Sequence, residues 1–176
     1  MSDAKVRRFT ERSRGDASDI DGQLVRASER ARTSQTPYSF LQMSVIGIGV
    51  DVVECERIKH SLERFGDRFL HRVFTAGEIE YSLSMKFPER HLAARFAGKE
   101  AVSKAFGTGI GKTVGWRNID IQKKGNGEPF LVFSGPAKAF AAERGVTSAL
   151  ITLSHTEHHA IACVVLESII PSQRDL

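Results

Sequence analysis

An α+β fold is predicted by three features of the sequence. There is one apolar, β-branched stretch early in the chain, SVIGIGVDVV (44–53). A long helical pattern follows, from Pro88 to about Phe106. Two late apolar strands, SALITLSH (148–155) and HAIACVVLES (159–168), are joined by a short turn. One early strand and an antiparallel sheet made late in the chain, with helices between them, define the class.

Each element has a local reason. The first stretch is too apolar for a surface strand and is expected to be buried. ECERIKHSLERFG has helical spacing through Ile58, Leu62 and Phe65, with Gly66 at the position that ends a helix. Thr75 and Glu78 have the spacing of a capping box and open a short helix. Pro88 suits the first turn of the longest helix, which Gly107 and Gly109 stop. NIDIQKKGNGEPFLVF reads as a hairpin turning at Gly125–Gly127. Ser134 stands where it would cap a helix over GPAKAFAAERG.

The 176 residues, 41% of them hydrophobic, are enough for one domain with a real core. No apolar run approaches the roughly 18–20 residues of a membrane span, and no apolar stretch follows Met1 as a signal peptide would. Two cysteines, Cys55 and Cys163, point to a reducing compartment, and the expected location is the cytoplasm. The net charge of +4 suits an acidic partner or a phosphorylated substrate without requiring nucleic acid. Residues 2–42 hold eight Lys/Arg, six Asp/Glu and few large apolar side chains. That composition predicts a disordered or weakly ordered extension over 1–42, from an early start codon or serving as a basic tether. The working domain is then 43–170, with a frayed tail over 171–176.

GTGIGKT (107–113) looks like a phosphate-binding loop of the ATPase type, but the spacing fails. Such a loop needs a glycine at 106, and 106 is Phe. A helical pattern also precedes these glycines instead of following them, so they end a helix. On that helix Phe96, Glu100, Ser103 and Gly107 share a face, and Glu100 and Lys104 are i, i+4 neighbours. They form either a solvated ion pair or one wall of a site. Asp51, at the end of an apolar strand, is either the cap of the next helix or a metal carboxylate. Asp51 with Glu100 would suit Mg²⁺, which takes one or two carboxylates plus waters and substrate phosphates. His155, Glu157, His158 and His159 lack zinc-site spacing, while His155 alone could donate to a phosphate. Rival readings are a nucleotide hydrolase and a silent basic module for an acidic protein or RNA. The chain has one Trp, two Tyr and no RNA-binding aromatic motif.

GIGVDVVECERI (47–58), RFAGKEAVSKAFGTGIG (95–111), GNGEPFL (125–131) and LSHTEHHAIACVVLE (153–167) resemble, in this order, the signatures of holo-(acyl-carrier-protein) synthase, the small type of 4′-phosphopantetheinyl transferase. The resemblance covers about residues 45–167. It implies a sheet packed with a long helix, a trimer with sites shared between subunits, and transfer of the phosphopantetheine arm of coenzyme A to a serine of apo acyl carrier protein. By the same resemblance, Asp51 and Glu100 are the Mg²⁺ carboxylates. Lys104, Ser103 and Lys99, together with His155, contact the phosphates of coenzyme A. Gly107 and Gly109 lie beside the nucleotide, and Arg57 meets the carrier protein.

Overall fold

The computed structural model describes residues 41–171, and the expectations for 1–40 and 172–176 lie outside them. The elements run β1 (Leu41–Glu54), α1 (Cys55–Phe65), α2 (Asp67–Val73), α3 (Ala76–Leu83), α4 (Pro88–Phe106), a 3₁₀ turn (Trp116–Asn118), β2 (Ile119–Lys123), β3 (Pro129–Phe133), α5 (Gly135–Glu143), β4 (Ser148–His155) and β5 (His159–Pro171). The α+β expectation holds, with two refinements. The sheet has the order β1-β5-β4, all antiparallel, while the β2-β3 hairpin forms a two-stranded sheet of its own. The short helix α2 was not foreseen, although Leu70, Val73 and Phe74, all buried, tie it to the core.

Strand β1 pairs with β5 so that Gly47, Gly49, Asp51 and Val53 stand opposite Leu166, Val164, Ala162 and Ala160. This is the inner face, and helix α4 covers it with Ala97, Ala101 and Ala105. Buried alanines spaced four apart make a smooth stripe on the helix. The fit against the strand is closer than any side chain allows. A Cβ placed on Gly49 would lie 1.9 Å from the Ala101 carbonyl oxygen, and one on Gly47 would lie 2.3 Å from that of Ala105. The expectation that β1 is buried holds for this inner face only. Its outer residues Val45, Ile48, Val50 and Val52 are 50–67% exposed, because no element of the described residues covers the second face.

The local signals mostly perform as read. Gly66 (φ 50°) ends α1 and donates to the Leu62 carbonyl. The Thr75 hydroxyl accepts from the Glu78 N–H while the Glu78 carboxylate accepts from the Thr75 N–H, a complete capping box. Gly107 (φ 72°) closes α4 in the left-handed region. Ser134 occupies the capping position of α5, but its side chain makes no capping bond. Both cysteines are free thiols.

The glycine contact gives a stability prediction. Gly49→Ala is expected to lower unfolding stability by at least about 3 kcal/mol, because its methyl group meets backbone that cannot rotate away. Gly77→Ala on α3, where an added Cβ meets nothing within 4 Å, should instead gain up to about 1 kcal/mol. Urea unfolding of the two variants checks the pair, and equal stabilities would refute the close-contact explanation.

Candidate active site

Asp51 is not a helix cap: β1 continues through Glu54, and that residue holds the position preceding α1. Alternation along the strand puts Asp51 on the same face as Gly47 and Gly49, under α4. There Lys104 Nζ donates to Asp51 Oδ1 at 2.7 Å and to the Val50 carbonyl at 3.0 Å. Glu100 lies one turn earlier on the same helix face. Burial pushes its pKa up, and the like charge of Asp51 adds to the rise; Lys104 and a hydrogen bond from Ser103 oppose it. The strand thus brings Asp51 to Glu100 and Lys104, which lie 49 and 53 residues farther along the chain.

Such a pair of crowded carboxylates suits a hard divalent cation. The donors are oxygens, their mutual repulsion is relieved by positive charge, and Lys104 already offers a single charge at that point. No group of three or more His, Cys, Asp or Glu side chains placed to hold a metal occurs among the described residues. Asp51 and Glu100 would therefore be the protein's contribution, with water and phosphate oxygens completing the shell.

Ser103 and Lys99 are placed differently from the expectation. Ser103 is fully buried, and its hydroxyl donates to the Glu100 carbonyl at 2.8 Å, with Glu100 Oε2 at 3.5 Å. It braces the turn that carries Glu100. Lys99 is also fully buried, because its position on α4 turns it inward toward the hairpin and the 3₁₀ turn. Its ammonium donates to the carbonyls of Trp116 and Ile119 at 2.7 and 2.6 Å and pairs with Glu78 at 2.8 Å. All three of its donors are engaged in the interior.

The glycine loop leaves the C-terminus of α4, so the phosphate-loop reading fails on geometry as well as on spacing. The Gly107 N–H already serves the Lys104 carbonyl and the Gly111 N–H that of Val114. Gly109 (φ 66°) needs its glycine for the backbone turn. Arg57 is exposed on the first turn of α1, and its side chain pairs with no carboxylate among the described residues.

His155 is exposed at the end of β4, two strands from Asp51, and the edge of its ring meets His91 at 5.0 Å. His91 and Arg95 escaped the sequence reading. The Arg95 guanidinium lies 4.2 Å over the Tyr81 ring, nearly buried, with Nε unbonded. Lys123 approaches the same ring and reaches the Tyr81 hydroxyl at 3.0 Å. Tyr81, Arg95 and Lys123 help line a recess of about 230 Å³. Burial holds the His91 pKa down, as do His155, Arg95 and Lys123, while Glu89 opposes them; Glu78 and Asp120 line the recess beside the two cations. The i, i+4 spacing of His91 and Arg95 was the only signal available from sequence.

A carboxylate pair beside a lysine, on a strand-and-helix frame, is an arrangement that can receive a divalent cation and phosphate oxygens. A model of the 4′-phosphopantetheinyl transferase superfamily matches residues 47–164. The holo-[acyl-carrier-protein] synthase of Koribacter versatilis is 44% identical over 123 residues, 70% of this chain and 98% of that protein. The crystal structure of the holo-[acyl-carrier-protein] synthase from Neisseria meningitidis superposes with a TM-score of 0.67 at 34% identity, covering 71% of this chain and all of that one. That from Helicobacter pylori, in complex with coenzyme A, gives 0.61 at 34% identity, covering 68% of this chain and 98% of the other. The chain belongs to the holo-[acyl-carrier-protein] synthase family of the 4′-phosphopantetheinyl transferases.

Glu100 offers a direct check. A folded-state carboxylate pKa above the unfolded value contributes stability that is present below the unfolded pKa and is lost as pH rises through the folded one. Asp51→Asn removes the like charge and releases Lys104 toward Glu100. The Glu100 midpoint, followed by carboxyl carbon NMR without divalent cations, should therefore fall in the variant. A midpoint that stays or rises would show that Asp51 does not face Glu100.

Proposed function

We propose that the chain transfers the 4′-phosphopantetheine group of coenzyme A to a serine hydroxyl of apo acyl carrier protein and releases adenosine 3′,5′-bisphosphate. The reaction depends on Mg²⁺ and serves fatty acid biosynthesis in the cytoplasm. The observation that carries this reading is the convergence of Asp51, Glu100 and Lys104 on one point.

In the transfer, the serine oxygen forms a bond to the phosphorus that bears pantetheine, and the pyrophosphate bridge breaks. The serine proton passes to a water or carboxylate at the site, and the leaving phosphate carries away negative charge. Asp51 and Glu100 would hold Mg²⁺, which when bound would supply positive charge against the charge that develops on the leaving phosphate. Lys104 has a half-exposed stem and can turn its ammonium from Asp51 to the same phosphate oxygens. Ser103 keeps the Glu100 turn in place. His155, exposed and packed against His91, could donate to a further phosphate of coenzyme A. Gly107 and Gly109 shape the loop beside the nucleotide. The nucleophile comes from the partner, so the chain needs no catalytic triad.

Two surfaces fit the partners. Arg57 stands six residues beyond Asp51. Arg68 and Arg72, with Phe65, Phe69 and Val73, line a groove of about 430 Å³ whose mix of charge and apolar surface suits an acidic, amphipathic helix. The exposed apolar face of the sheet, with Val45, Ile48, Val50, Val52, Leu150 and Ile161, suits association with further copies into a trimer. His155 lies two strands from Asp51, about 10 Å by strand spacing, and a site shared between copies would accommodate that separation.

The decisive measurement is the mass of an apo carrier protein after incubation with the protein, coenzyme A and Mg²⁺. A gain of one phosphopantetheine group is expected, and ATP turnover without coenzyme A consumption would overturn the assignment. Asp51→Ala and Glu100→Ala should each lower the transfer rate by at least about a hundredfold while remaining folded. Near-normal Mg²⁺-dependent turnover in either would remove it from the metal site. Arg57→Glu should raise the KM for carrier protein while changing the Kd for coenzyme A by less than about threefold. Loss of coenzyme A binding with unchanged carrier affinity would move Arg57 to the nucleotide.

A further inference from the structure

Lys99 and Glu78 form a fully buried ion pair that the transfer chemistry does not use. Every polar atom in it is engaged. Glu78 Oε1 accepts from the Ile121 N–H at 3.0 Å, and Oε2 accepts from the Thr75 N–H at 2.8 Å and from Lys99 at 2.8 Å. Lys99 then spends its remaining donors on the carbonyls of Trp116 and Ile119, the residues that start and follow the 3₁₀ turn. That turn is the far anchor of the loop beginning at Gly107. Its near anchor is the end of α4 itself, and Phe96 stacks on Trp116 at 4.7 Å from the same helix. One side chain therefore ties the return of the loop to the helix residue immediately before Glu100.

A buried lysine is costly unless its charge and donors are all matched. Burial depresses the Lys99 pKa, and Glu78 pulls it back up. A simpler apolar core would hold the same elements together. What an apolar side chain cannot supply is a bond to two particular carbonyls at the foot of the loop.

We infer that Lys99 is a positioning residue, with Glu78 as its counter-charge: through the Trp116 and Ile119 carbonyls it fixes the glycine loop of residues 107–115 in the register that coenzyme A requires. The inference rests on the proposed transferase reading for its ligand but not for its mechanics. Removing Lys99 should loosen the loop and weaken coenzyme A capture, with KM raised more steeply than kcat falls.

Two variants separate positioning from bulk stability. Lys99→Met alone strands the Glu78 charge in the core and is expected to be strongly destabilised. Lys99→Met combined with Glu78→Gln removes that stranded charge, so its melting temperature should recover most of the loss. The carbonyls of Trp116 and Ile119 still lack their donor in the double variant. Amide exchange over 107–119 should therefore stay faster than in the parent, and the KM for coenzyme A should stay raised by about tenfold relative to kcat. If the double variant regains parental exchange and parental KM together with its stability, Lys99 is only a charge partner and the inference is wrong. If the parent itself transfers nothing from coenzyme A, the functional reading fails, and the exchange comparison still tests the anchor.

Discussion

The structure depends on a helix lying directly against a strand. Between α4 and β1 there is no layer of side chains at two points, because Gly47 and Gly49 face the carbonyls of Ala105 and Ala101. A methyl group at either glycine would collide with backbone. Around the contact the helix offers only alanines, so its axis can settle close to the sheet. Asp51 is the next residue on the inner face after the two glycines. Its short side chain reaches the helix only because the glycines have brought the helix down to it. The same approach places the Lys104 stem within reach of both Asp51 and the Val50 carbonyl. Backbone packing therefore sets the electrostatics.

Once gathered, the charges are in tension. Two carboxylates converge and one ammonium sits against one of them, so a negative charge is left over beside Glu100. Burial and the neighbouring Asp51 both disfavour the ionised form of Glu100, which is why its pKa rises. A divalent cation would resolve the imbalance more completely than Lys104 does, and in doing so would release Lys104. Lysine serves this double role better than arginine. Its charge is compact, its stem is flexible, and it gains nothing from a fixed planar geometry.

Most of the architecture could be read from the sequence because its signals are local. The capping box at Thr75, the start of α4 at Pro88 and its stop at Gly107 are written within a few residues of where they act. Both late strands were visible as apolar runs between polar turns. Asp51 and Glu100 were legible as candidates, but their meeting was not, since it depends on which face of β1 the helix covers. Helix α2 was missed because seven residues give too little periodicity. The outer face of β1 was misread because an apolar residue looks the same in the sequence whether or not another element of the chain covers it. Arg95 and His91 gave almost no signal. Their environment is assembled from Tyr81, Lys123 and His155, which come from three other elements.

Lys99 and Lys104 show most clearly what sequence leaves open. They lie on one helix, five residues apart, and both fall within one motif. Five residues turn an α-helix by about 140° from where it began, so the two side chains leave from different faces. One face meets the strand that carries Asp51, and Lys104 arrives half exposed beside a carboxylate. The other meets the hairpin and the 3₁₀ turn, and Lys99 arrives in the core. Burial there is tolerable only because Glu78 occupies the first turn of α3, held by the Thr75 cap, and aims its carboxylate inward. Glu78 is thus shared between a capping box and a buried ion pair. The residue that ends up opposite Lys99 is 21 positions away in the sequence. No spacing rule within α4 reveals it, and only the folded position of α3 against α4 decides which lysine is buried against a carboxylate and which stays half exposed.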